Sequence, residues 1–270
     1  MEWREREGVK WLEASLPGAG AAFSTRIGGV SQPPFDGLNL GALTEDDVEA
    51  VVENRRRLAA ALGFSSDRIA FAHQAHGAEL MLHAWLPGGS FVSPEATRAQ
   101  RDRAETQILR PGTVSLDWPL PVADGHVIGE PGVAGLVFVA DCVPVALSGP
   151  GGVAMLHCGW RGLAAGIVER GVAAVDATDA AVGPSIGPCC YEVGDEVLAT
   201  FDRLGDGIAT GRMLDLPEVT RRLLLESGVE RIELSGLCTS CEPELFFSHR
   251  RDRGRTGRQA GLVWREAGEG

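Results

Sequence analysis

Two apolar stretches near the middle of the chain are separated by a cluster of turn-forming residues. The first stretch covers residues 133–147 and the second covers residues 153–158, and the sequence between them is Ser148-Gly149-Pro150-Gly151-Gly152. Glycine and proline between two apolar runs are typical of the tight loop of a β-hairpin. The pattern therefore predicts two antiparallel strands joined by a turn centred between Pro150 and Gly151.

This predicted turn determines which residues of the hairpin face each other. With the turn centred between Pro150 and Gly151, Cys142 lies opposite Gly159. His157 is two residues from Gly159, so its side chain is on the same face as Cys142 and diagonal to it, because side chains alternate along a strand. The pairing brings a thiol and an imidazole close together. Such a pair is either part of a metal site or a catalytic Cys–His pair.

The remaining hydrophobic pattern predicts further helices and strands. Helical spacing of apolar residues predicts helices over residues 46–62, 161–175, 194–204 and 216–227. Short apolar runs bounded by turn formers predict strands within residues 11–25, interrupted by a turn at 17–20, and over 68–74, 78–85, 180–186, 231–235 and 262–264. Strands and helices thus share one chain without a regular alternation, which is typical of the α+β class.

The pattern weakens between residues 86 and 118. This segment contains two Pro-Gly clusters and the charged run Arg98-Ala99-Gln100-Arg101-Asp102-Arg103, which together indicate an exposed excursion with a short charged helix. Elsewhere the chain shows neither an internal repeat nor a convincing linker. The sequence therefore predicts one α+β domain over residues 1–270.

Length and composition are compatible with a large folded core. The chain has 270 residues, of which 44% are hydrophobic and 23% are charged, as in ordinary soluble globular proteins. No apolar run approaches the roughly 20 residues that span a bilayer, and the first five residues do not resemble a signal peptide. We therefore expect a cytoplasmic protein without a membrane partner.

The charge balance restricts the partners further. A formal net charge of −12 argues against a general affinity for nucleic acid, because the phosphates would be repelled. Lys10 is the only lysine, and all other cationic side chains at neutral pH are arginines. Any anion-binding site of this chain must therefore be built from guanidinium groups and backbone amides.

Six cysteines in a cytosolic chain are typical of free, metal-bound or catalytic thiols rather than disulfides. Cys238 and Cys241 have the C-x-x-C spacing of half a zinc knuckle. The other half would have to come from Cys189 and Cys190, which are adjacent, and adjacent residues are poorly placed to share one ion. The sequence therefore favours two thiols in a tight turn over a structural zinc at this position.

A metal site at Cys142 and His157 would need a third ligand. Two candidates, His73 and His76, lie three residues apart, and His76 precedes a glycine, which suits a sharp turn that exposes its side chain. Ligands of N, S and N type leave a fourth position for water, as in a catalytic zinc site. The two remaining histidines of the strand-like regions, His83 and His126, are expected to be structural or solvated.

Arg161 begins the helix that follows the strand of His157. The amino terminus of a helix attracts anions, and a guanidinium adds donors that suit phosphate or carboxylate. An arginine in this position can equally cap its own surface, so the sequence leaves both interpretations open.

Several motifs in this order along the chain resemble those of the YfiH family, also called the laccase-domain or polyphenol oxidase family, which includes purine nucleoside phosphorylases. The resemblance extends from about residue 20 to the C-terminus and includes the motifs Phe23-Ser24-Thr25-Arg26-Ile27-Gly28-Gly29-Val30-Ser31, Asn39-Leu40-Gly41, Gln74-Ala75-His76-Gly77, Ala140-Asp141-Cys142-Val143-Pro144, His157-Cys158-Gly159-Trp160-Arg161-Gly162, Gly183-Pro184-Ser185-Ile186-Gly187-Pro188-Cys189-Cys190-Tyr191-Glu192-Val193 and Phe247-Ser248-His249-Arg250-Arg251-Asp252. One departure is segment 86–118, which is longer than expected for the family.

The resemblance implies a four-layer α/β/β/α sandwich with mixed sheets and a zinc ion held by His76, Cys142 and His157. It also implies phosphorolysis of purine nucleosides such as adenosine, inosine and methylthioadenosine, with adenosine deamination as a side activity. The expected partners are thus a purine nucleoside and phosphate. The residues expected to bind substrate and phosphate are Arg26, Asn39 and Arg161, and Asp124 is the candidate for proton transfer.

Two other functions compete with this one. The older family name implies a copper-dependent polyphenol oxidase, but a multicopper enzyme needs about four coppers held mostly by imidazoles, and six scattered histidines do not supply them. Copper can still replace zinc at the single site, as its higher affinity allows. The other alternative is a metal-free hydrolase, in which Cys142 is the nucleophile and His157 the base.

Overall fold

The computed structural model describes residues 1–85, 91–92 and 121–267, which form two large β-sheets packed face to face. Of the predicted excursion over 86–118, only the short strand Phe91–Val92 is among these residues, so the predicted charged helix lies outside them. None of the helices in the described ranges is long and apolar enough to cross a membrane.

The first sheet has six strands and is built mainly from the two ends of the chain. Its strands are antiparallel to their neighbours except for the last pair. In spatial order they are β1 (Glu2–Arg6), β2 (Val9–Leu16), β3 (Ala19–Ser24), β15 (Gln259–Arg265), β8 (Ala134–Val139) and β4 (Ile69–Ala70).

The second sheet has seven strands and contains the predicted hairpin at its centre. It is also mixed, because the pairs β11–β14 and β5–β7 are parallel whereas its other pairs are antiparallel. In spatial order its strands are β14 (Arg231–Leu234), β11 (Asp179–Val182), β9 (Val143–Gly149), β10 (Gly152–Cys158), β7 (Gly125–Ile128), β5 (Leu80–Trp85) and β6 (Phe91–Val92). A separate small hairpin pairs β12 (Ala209–Thr210) with β13 (Met213–Leu214).

Helices cover the outer faces of both sheets. Helix α1 packs on the first sheet, where Leu58 and Ala61 join a core with residues of β2, β3 and β15. The other helices lie on the side of the second sheet, where their apolar residues join one core with residues of β9, β10 and β11. The bounds are α1 (Val48–Leu62), α2 (Trp160–Ala164), α3 (Ile167–Val175), α4 (Asp195–Phe201) and α5 (Leu216–Glu226), with single 3-10 turns at Ser66–Arg68 and Asp202–Leu204.

Alternation along the central strand β10 shows how the layers are held together. Val153 and Met155 enter the core between the two sheets, whereas Ala154 and Leu156 enter the core beneath the helices. A strand that is buried on both faces is apolar throughout, which explains the continuous hydrophobic run in the sequence. The predicted α+β fold with four layers and mixed sheets is confirmed.

The predicted hairpin register is also confirmed. Gly149 pairs with Gly152 and Val143 pairs with Cys158, so the turn lies between Pro150 and Gly151. One step beyond the ladder, a Cβ atom built on Gly159 would be 3.1 Å from the Cys142 sulfur. Cys142 therefore faces Gly159 as predicted, and His157 lies diagonal to it.

One predicted strand was wrong in its extent. Residues 133–147 form two strands, β8 and β9, which belong to different sheets. The chain crosses between the sheets at Asp141, whose φ of 91° is left-handed, and its buried carboxylate accepts hydrogen bonds from the Thr239 hydroxyl and the Arg250 amide, each at 2.7 Å. Cys142 directly follows this crossing and immediately precedes β9.

Other bounds also differ from the prediction. The helix predicted over 161–175 is broken at Gly166, with a φ of 85°, into α2 and α3. The strand predicted over 68–74 is reduced to Ile69–Ala70. Strands β1 and β7 were missed, since β1 is a fully exposed, charged edge strand and β7 is only four residues long.

Candidate metal centre and active-site pocket

Three side chains from separate parts of the chain meet at one point. The ligand atoms of His76, Cys142 and His157 all lie within 4.8 Å of one another. His76 is in the turn before β5 and has a φ of 59°, Cys142 precedes β9, and His157 lies near the end of β10. The structure thus brings together the three residues that the sequence predicted as metal ligands, and His76 rather than His73 is in the group.

Asp124 holds two of these residues in place. Its carboxylate accepts hydrogen bonds from the backbone amides of Ala75, His76 and Gly77 at 3.1, 2.9 and 2.8 Å. Its Oδ1 atom is also 2.8 Å from Nδ1 of His157. Because Nδ1 is occupied by this contact, Nε2 is the nitrogen of His157 that remains for a metal. Asp124 is only 1% exposed, so its carboxylate is buried and supports His76 and His157 through these hydrogen bonds.

Electrostatics favour the thiolate form of Cys142. Burial raises the pKa of this thiol, but the charge of His157 and hydrogen bonds from His157 and His76 outweigh burial and lower the pKa. Burial likewise lowers the pKa of His157, while the Cys142 thiolate and Asp124 reverse this and raise it. The lowered pKa of Cys142 and the raised pKa of His157 both favour a thiolate beside an imidazolium, and a bound metal would take the place of the imidazolium proton.

The donor set fits zinc. One thiolate and two imidazoles are ligands that zinc prefers, and three protein ligands leave one position of a tetrahedral site for a water or substrate. The carboxylate behind His157 is the partner that commonly orients a metal-bound histidine. Copper also binds such donors.

The role of Asp124 gives a first prediction. In Asp124→Asn, the side-chain NH₂ group replaces one of the two oxygens that accept hydrogen bonds and so faces backbone N–H donors. The loop of His76 then loses an acceptor, and His157 is held less firmly in its orientation. We expect metal affinity to fall roughly 10- to 100-fold, measured by competition with a coloured chelator. Glu79→Gln, which changes a nearby exposed carboxylate, is the control and should leave the affinity unchanged. Equal affinities for Asp124→Asn and the wild type would contradict this positioning role.

The three candidate ligands lie at the wall of a pocket of about 560 Å³. This volume is within the usual range of small-molecule sites. Aromatic side chains and arginines line much of the pocket, which gives flat apolar faces next to concentrated positive charge. These residues are Phe71, Phe138, Trp160 and Tyr191, with Arg55, Arg161, Arg250 and Arg258.

Arg55 is the most unusual of the pocket arginines. It is 9% exposed and its guanidinium lies 4.6 Å from the ring centroid of Phe71 and 4.9 Å from that of Phe138. Nε donates to the Leu40 carbonyl at 2.9 Å, whereas the buried Nη1 has no hydrogen-bond partner among the described residues. Burial lowers the pKa of Arg55 to about 10, so the group keeps its charge at neutral pH. A buried cation with an unpaired donor is suited to an anionic ligand.

Asn39, predicted to bind substrate, lies behind the pocket wall. It is fully buried, and its Nδ2 donates to the Thr44 hydroxyl at 2.9 Å and the Asp46 carboxylate at 2.8 Å. Its Oδ1 accepts from the backbone amide of Arg258 at 2.8 Å. The Asn39 side chain therefore supports Arg258, which itself lines the pocket.

The two arginines predicted to bind phosphate are in different places. Arg161 does line the pocket, where its guanidinium lies 4.4 Å from the centroid of Trp160, but its helix α2 has only five residues. Arg26 lines a separate surface depression. There its guanidinium is bound to the Asp36 carboxylate and the Pro243 carbonyl, both at 2.9 Å. The structure thus brings Arg161, and not Arg26, to the candidate metal centre.

Arg55 and Arg258 were not singled out from the sequence. Arg55 is followed by Arg56 and Arg57, and such a run on a helix indicates a solvated face. The signal that identifies Arg55 is its spacing, because it falls on the same helical stripe as the buried Val51 and Leu58. Arg258 lies in a glycine- and arginine-rich loop, and no local pattern shows that this loop folds back onto the pocket.

Two histidines outside the candidate metal centre, His83 and His126, have the structural role that was expected for them. His83 and His126 form a buried pair, with Nε2 of the first 2.8 Å from Nδ1 of the second. Burial lowers the pKa of His83 to about 4 and that of His126 to about 3. Both rings are therefore neutral parts of the structure. His73 contributes to the pocket wall near His76.

The fold and site define a class of proteins with two mixed sheets between helical layers and a His–Cys–His site at the hairpin. The chain belongs to the family described as multi-copper polyphenol oxidoreductase laccase, whose family model matches residues 20–266, and the resemblance to the YfiH family is confirmed.

The similarity to named relatives and to solved structures extends over almost the whole chain. The purine nucleoside phosphorylase YlmD of Geobacillus stearothermophilus is 36% identical, with 97% of this chain and 96% of the relative covered. The purine nucleoside phosphorylase YfiH of Escherichia coli is 36% identical over 92% and 94% of the two chains. The crystal structure of the Geobacillus YlmD protein superimposes with a TM-score of 0.79 over 98% of both chains.

Proposed function

We propose that this chain is a zinc-dependent purine nucleoside phosphorylase whose metal is held by His76, Cys142 and His157. The observation that carries the proposal is the composition of the pocket beside these residues, where arginines and aromatic rings lie together. A purine nucleoside and phosphate present a flat aromatic base and a dianion, and this lining matches both. The names of the relatives at 36% identity support the same activity.

In this reaction inorganic phosphate attacks the anomeric carbon of the ribose. A C–O bond forms, the C–N bond to the purine breaks, and its electron pair leaves with the base, which takes up a proton. The products are ribose 1-phosphate and the free purine. Arg55 and Arg258 are proposed to hold the attacking phosphate, because charge-assisted hydrogen bonds place and partly neutralise the dianion.

The aromatic residues are proposed to hold the base. Phe71 and Phe138 flank Arg55, and Tyr191 lies under Arg250 at 5.2 Å, so a planar ligand can pack against rings that are already fixed. When bound, zinc supplies a Lewis acid at the pocket wall that polarises or orients the substrate. Asp124 is proposed as a positioning residue rather than the proton-transfer residue, because its oxygens are already occupied by the loop of His76 and by His157.

The test is the requirement for phosphate. Adenosine, inosine and methylthioadenosine are each incubated with the purified protein with and without phosphate, and the products are separated by chromatography. Only when phosphate is present do we expect free base together with a sugar 1-phosphate, which is ribose 1-phosphate from adenosine and inosine and 5-methylthioribose 1-phosphate from methylthioadenosine. A proposed side activity, the conversion of adenosine and water to inosine and ammonia, should not require phosphate. Release of free ribose at the same rate without phosphate would show a hydrolase instead.

Oxidation of phenols is the second candidate, because the matching family model carries that description. The positions of the histidines weigh against several coppers. Of the six histidines in the sequence, His83 and His126 are engaged with each other, and within the described residues only His76 and His157 join a group of three candidate ligands. Oxygen consumption with a phenolic substrate by the copper-loaded protein, at a rate above that of phosphorolysis, would favour the oxidase.

A further inference from the structure

A second cluster of thiols lies apart from the three candidate ligands of the pocket. The sulfur atoms of Cys189, Cys190, Cys238 and Cys241 all lie within 4.8 Å of one another; these residues are called the four-thiol cluster below. The sequence interpretation, in which the adjacent Cys189 and Cys190 are badly placed to share an ion with the C-x-x-C pair, is therefore wrong in its geometric premise.

Two tight turns bring the four thiols together. In the first turn, the amides of Cys190 and Tyr191 both donate to the Gly187 carbonyl, at 3.0 and 3.1 Å. This turn directs both neighbouring side chains to Cys241, whose sulfur is 3.4 Å from that of Cys189 and 3.5 Å from that of Cys190. Adjacent cysteines can thus approach one point because the backbone between them is bent.

The second turn contains the C-x-x-C pair. The amide of Cys241 donates to the Cys238 carbonyl at 3.2 Å. The Cys238 sulfur accepts a hydrogen bond from the Gly187 amide at 3.2 Å. Amide donors aimed at a sulfur stabilise its thiolate form, which is the form that binds metals.

The separations suit a shared ion better than a disulfide. A disulfide requires sulfurs about 2.05 Å apart. Four sulfurs arranged tetrahedrally around a zinc ion with bonds of about 2.3 Å are about 3.8 Å apart. The Cys241 sulfur is 3.4 Å from that of Cys189 and 3.5 Å from that of Cys190. With the limit of 4.8 Å for the whole group, these separations bracket the value for a shared zinc ion.

We propose that the four-thiol cluster binds a second zinc ion, in a closed site made only of sulfur ligands. Binding of zinc converts four thiols to thiolates and releases their four protons. The four thiolates and the zinc dication together then carry a net charge of about −2. Four protein ligands leave no open position for a substrate, which is the arrangement of structural rather than catalytic zinc. This site is independent of the proposed phosphorylase function.

The second ion would fasten two segments that form part of the pocket wall. Ile186 and Tyr191 flank Cys189 and Cys190, whereas His249 and Arg250 follow Cys238 and Cys241, and all four of these flanking residues line the pocket. The segments already meet at the bridge between Ser185 and Cys238 and where Arg250 donates to the Glu192 carbonyl at 2.8 Å. A metal at the four-thiol cluster adds a strong link beside these weak ones.

The experiment measures metal content after purification with a non-thiol reductant and without chelators. We expect two zinc ions per wild-type chain, one in Cys142→Ala and one in the double variant Cys238→Ser/Cys241→Ser. Ser240→Ala, which keeps the loop and its amide, is the matched control and should retain two. Cys142→Ala reloaded with cobalt(II) should show an intense thiolate-to-cobalt charge-transfer band. In this variant the candidate site of His76 and His157 has no thiolate, so the band would come from the four-thiol cluster.

Two results would overturn the proposal. One is Cys142→Ala protein that is folded but binds neither zinc nor cobalt. The other is a folded double variant that retains all the metal of the wild type. Neither result depends on phosphorolysis, so failure of the second site is distinguishable from failure of the proposed function. The double variant, which lacks the ion, should also unfold at a lower temperature than the wild type. Added zinc should not restore its thermal stability.

Discussion

Replacing Cys142 with alanine is expected to reduce the proposed phosphorolysis by about 10³-fold, because the proposed metal would contribute several kcal/mol to transition-state stabilisation. Only two imidazoles then remain at a site that used a thiolate and two imidazoles. Metal at this site and adenosine deamination should disappear together with phosphorolysis. The measurements are zinc content by elemental analysis and kcat/KM for inosine at saturating phosphate.

The neighbouring histidines provide a matched pair of controls. His76→Ala should lose the same metal, whereas His73→Ala, three residues earlier in the same loop, should keep it. If phosphorolysis survives in Cys142→Ala while deamination is lost, the metal does not take part in phosphorolysis. If Cys142 in fresh wild-type protein is instead metal-free and rapidly alkylated, the metal-free Cys–His hydrolase becomes the better interpretation.

Replacing Arg55 with methionine is expected to raise the KM for phosphate roughly 10- to 100-fold. A hydrogen bond to a charged group contributes about 1.5–3 kcal/mol, and Nη1 of Arg55 is buried and without a protein partner in the described part of the chain. Methionine is close in length and can still pack between Phe71 and Phe138. The KM for the nucleoside should change much less, because the aromatic faces of the pocket remain.

The next residue on helix α1 is the control for this variant. Arg56→Met removes a guanidinium that is bound to Glu53 and has 62% of its side chain exposed, so it should leave the KM for phosphate unchanged. Thermal unfolding of both variants separates a loss of stability from a loss of binding. An unchanged KM in Arg55→Met, together with an increase in Arg161→Ala, would assign the phosphate to the mouth of the pocket instead.

Much of the site was accessible from the sequence because its geometry is local. Cys142 and His157 are brought together by a hairpin whose turn residues determine the register, and the observed pairing of Val143 with Cys158 follows from that turn. His76 was distinguishable from His73 by the glycine that follows it. Helix α1 likewise has its signals within the chain, with Asp47 as its N-cap and Gly63 in the left-handed conformation at its end.

The ends of the strands were harder to predict from the sequence where the backbone departs from regular strand geometry. The apolar run over 133–147 continues without a polar interruption other than Asp141, yet the chain changes sheets there. Asp141 is held in a left-handed conformation by Thr239 and Arg250. Both partners are about 100 residues away in the sequence, so a pattern of neighbouring residues contains no sign of the crossing.

The sequence alone thus determined the hairpin, the α+β class and the Cys142–His157 pair, because turn chemistry and side-chain alternation act over a few residues. The third candidate ligand, His76, was supported by the glycine that follows it and by the resemblance to the YfiH family. Tertiary structure alone decided that Arg55 and Arg258 line the pocket, that Arg26 does not, and that four thiols from two distant turns meet. These arrangements depend on how separate segments pack against the two sheets. Packing of that kind follows from the shape of the whole core, and no local spacing of residue types encodes it.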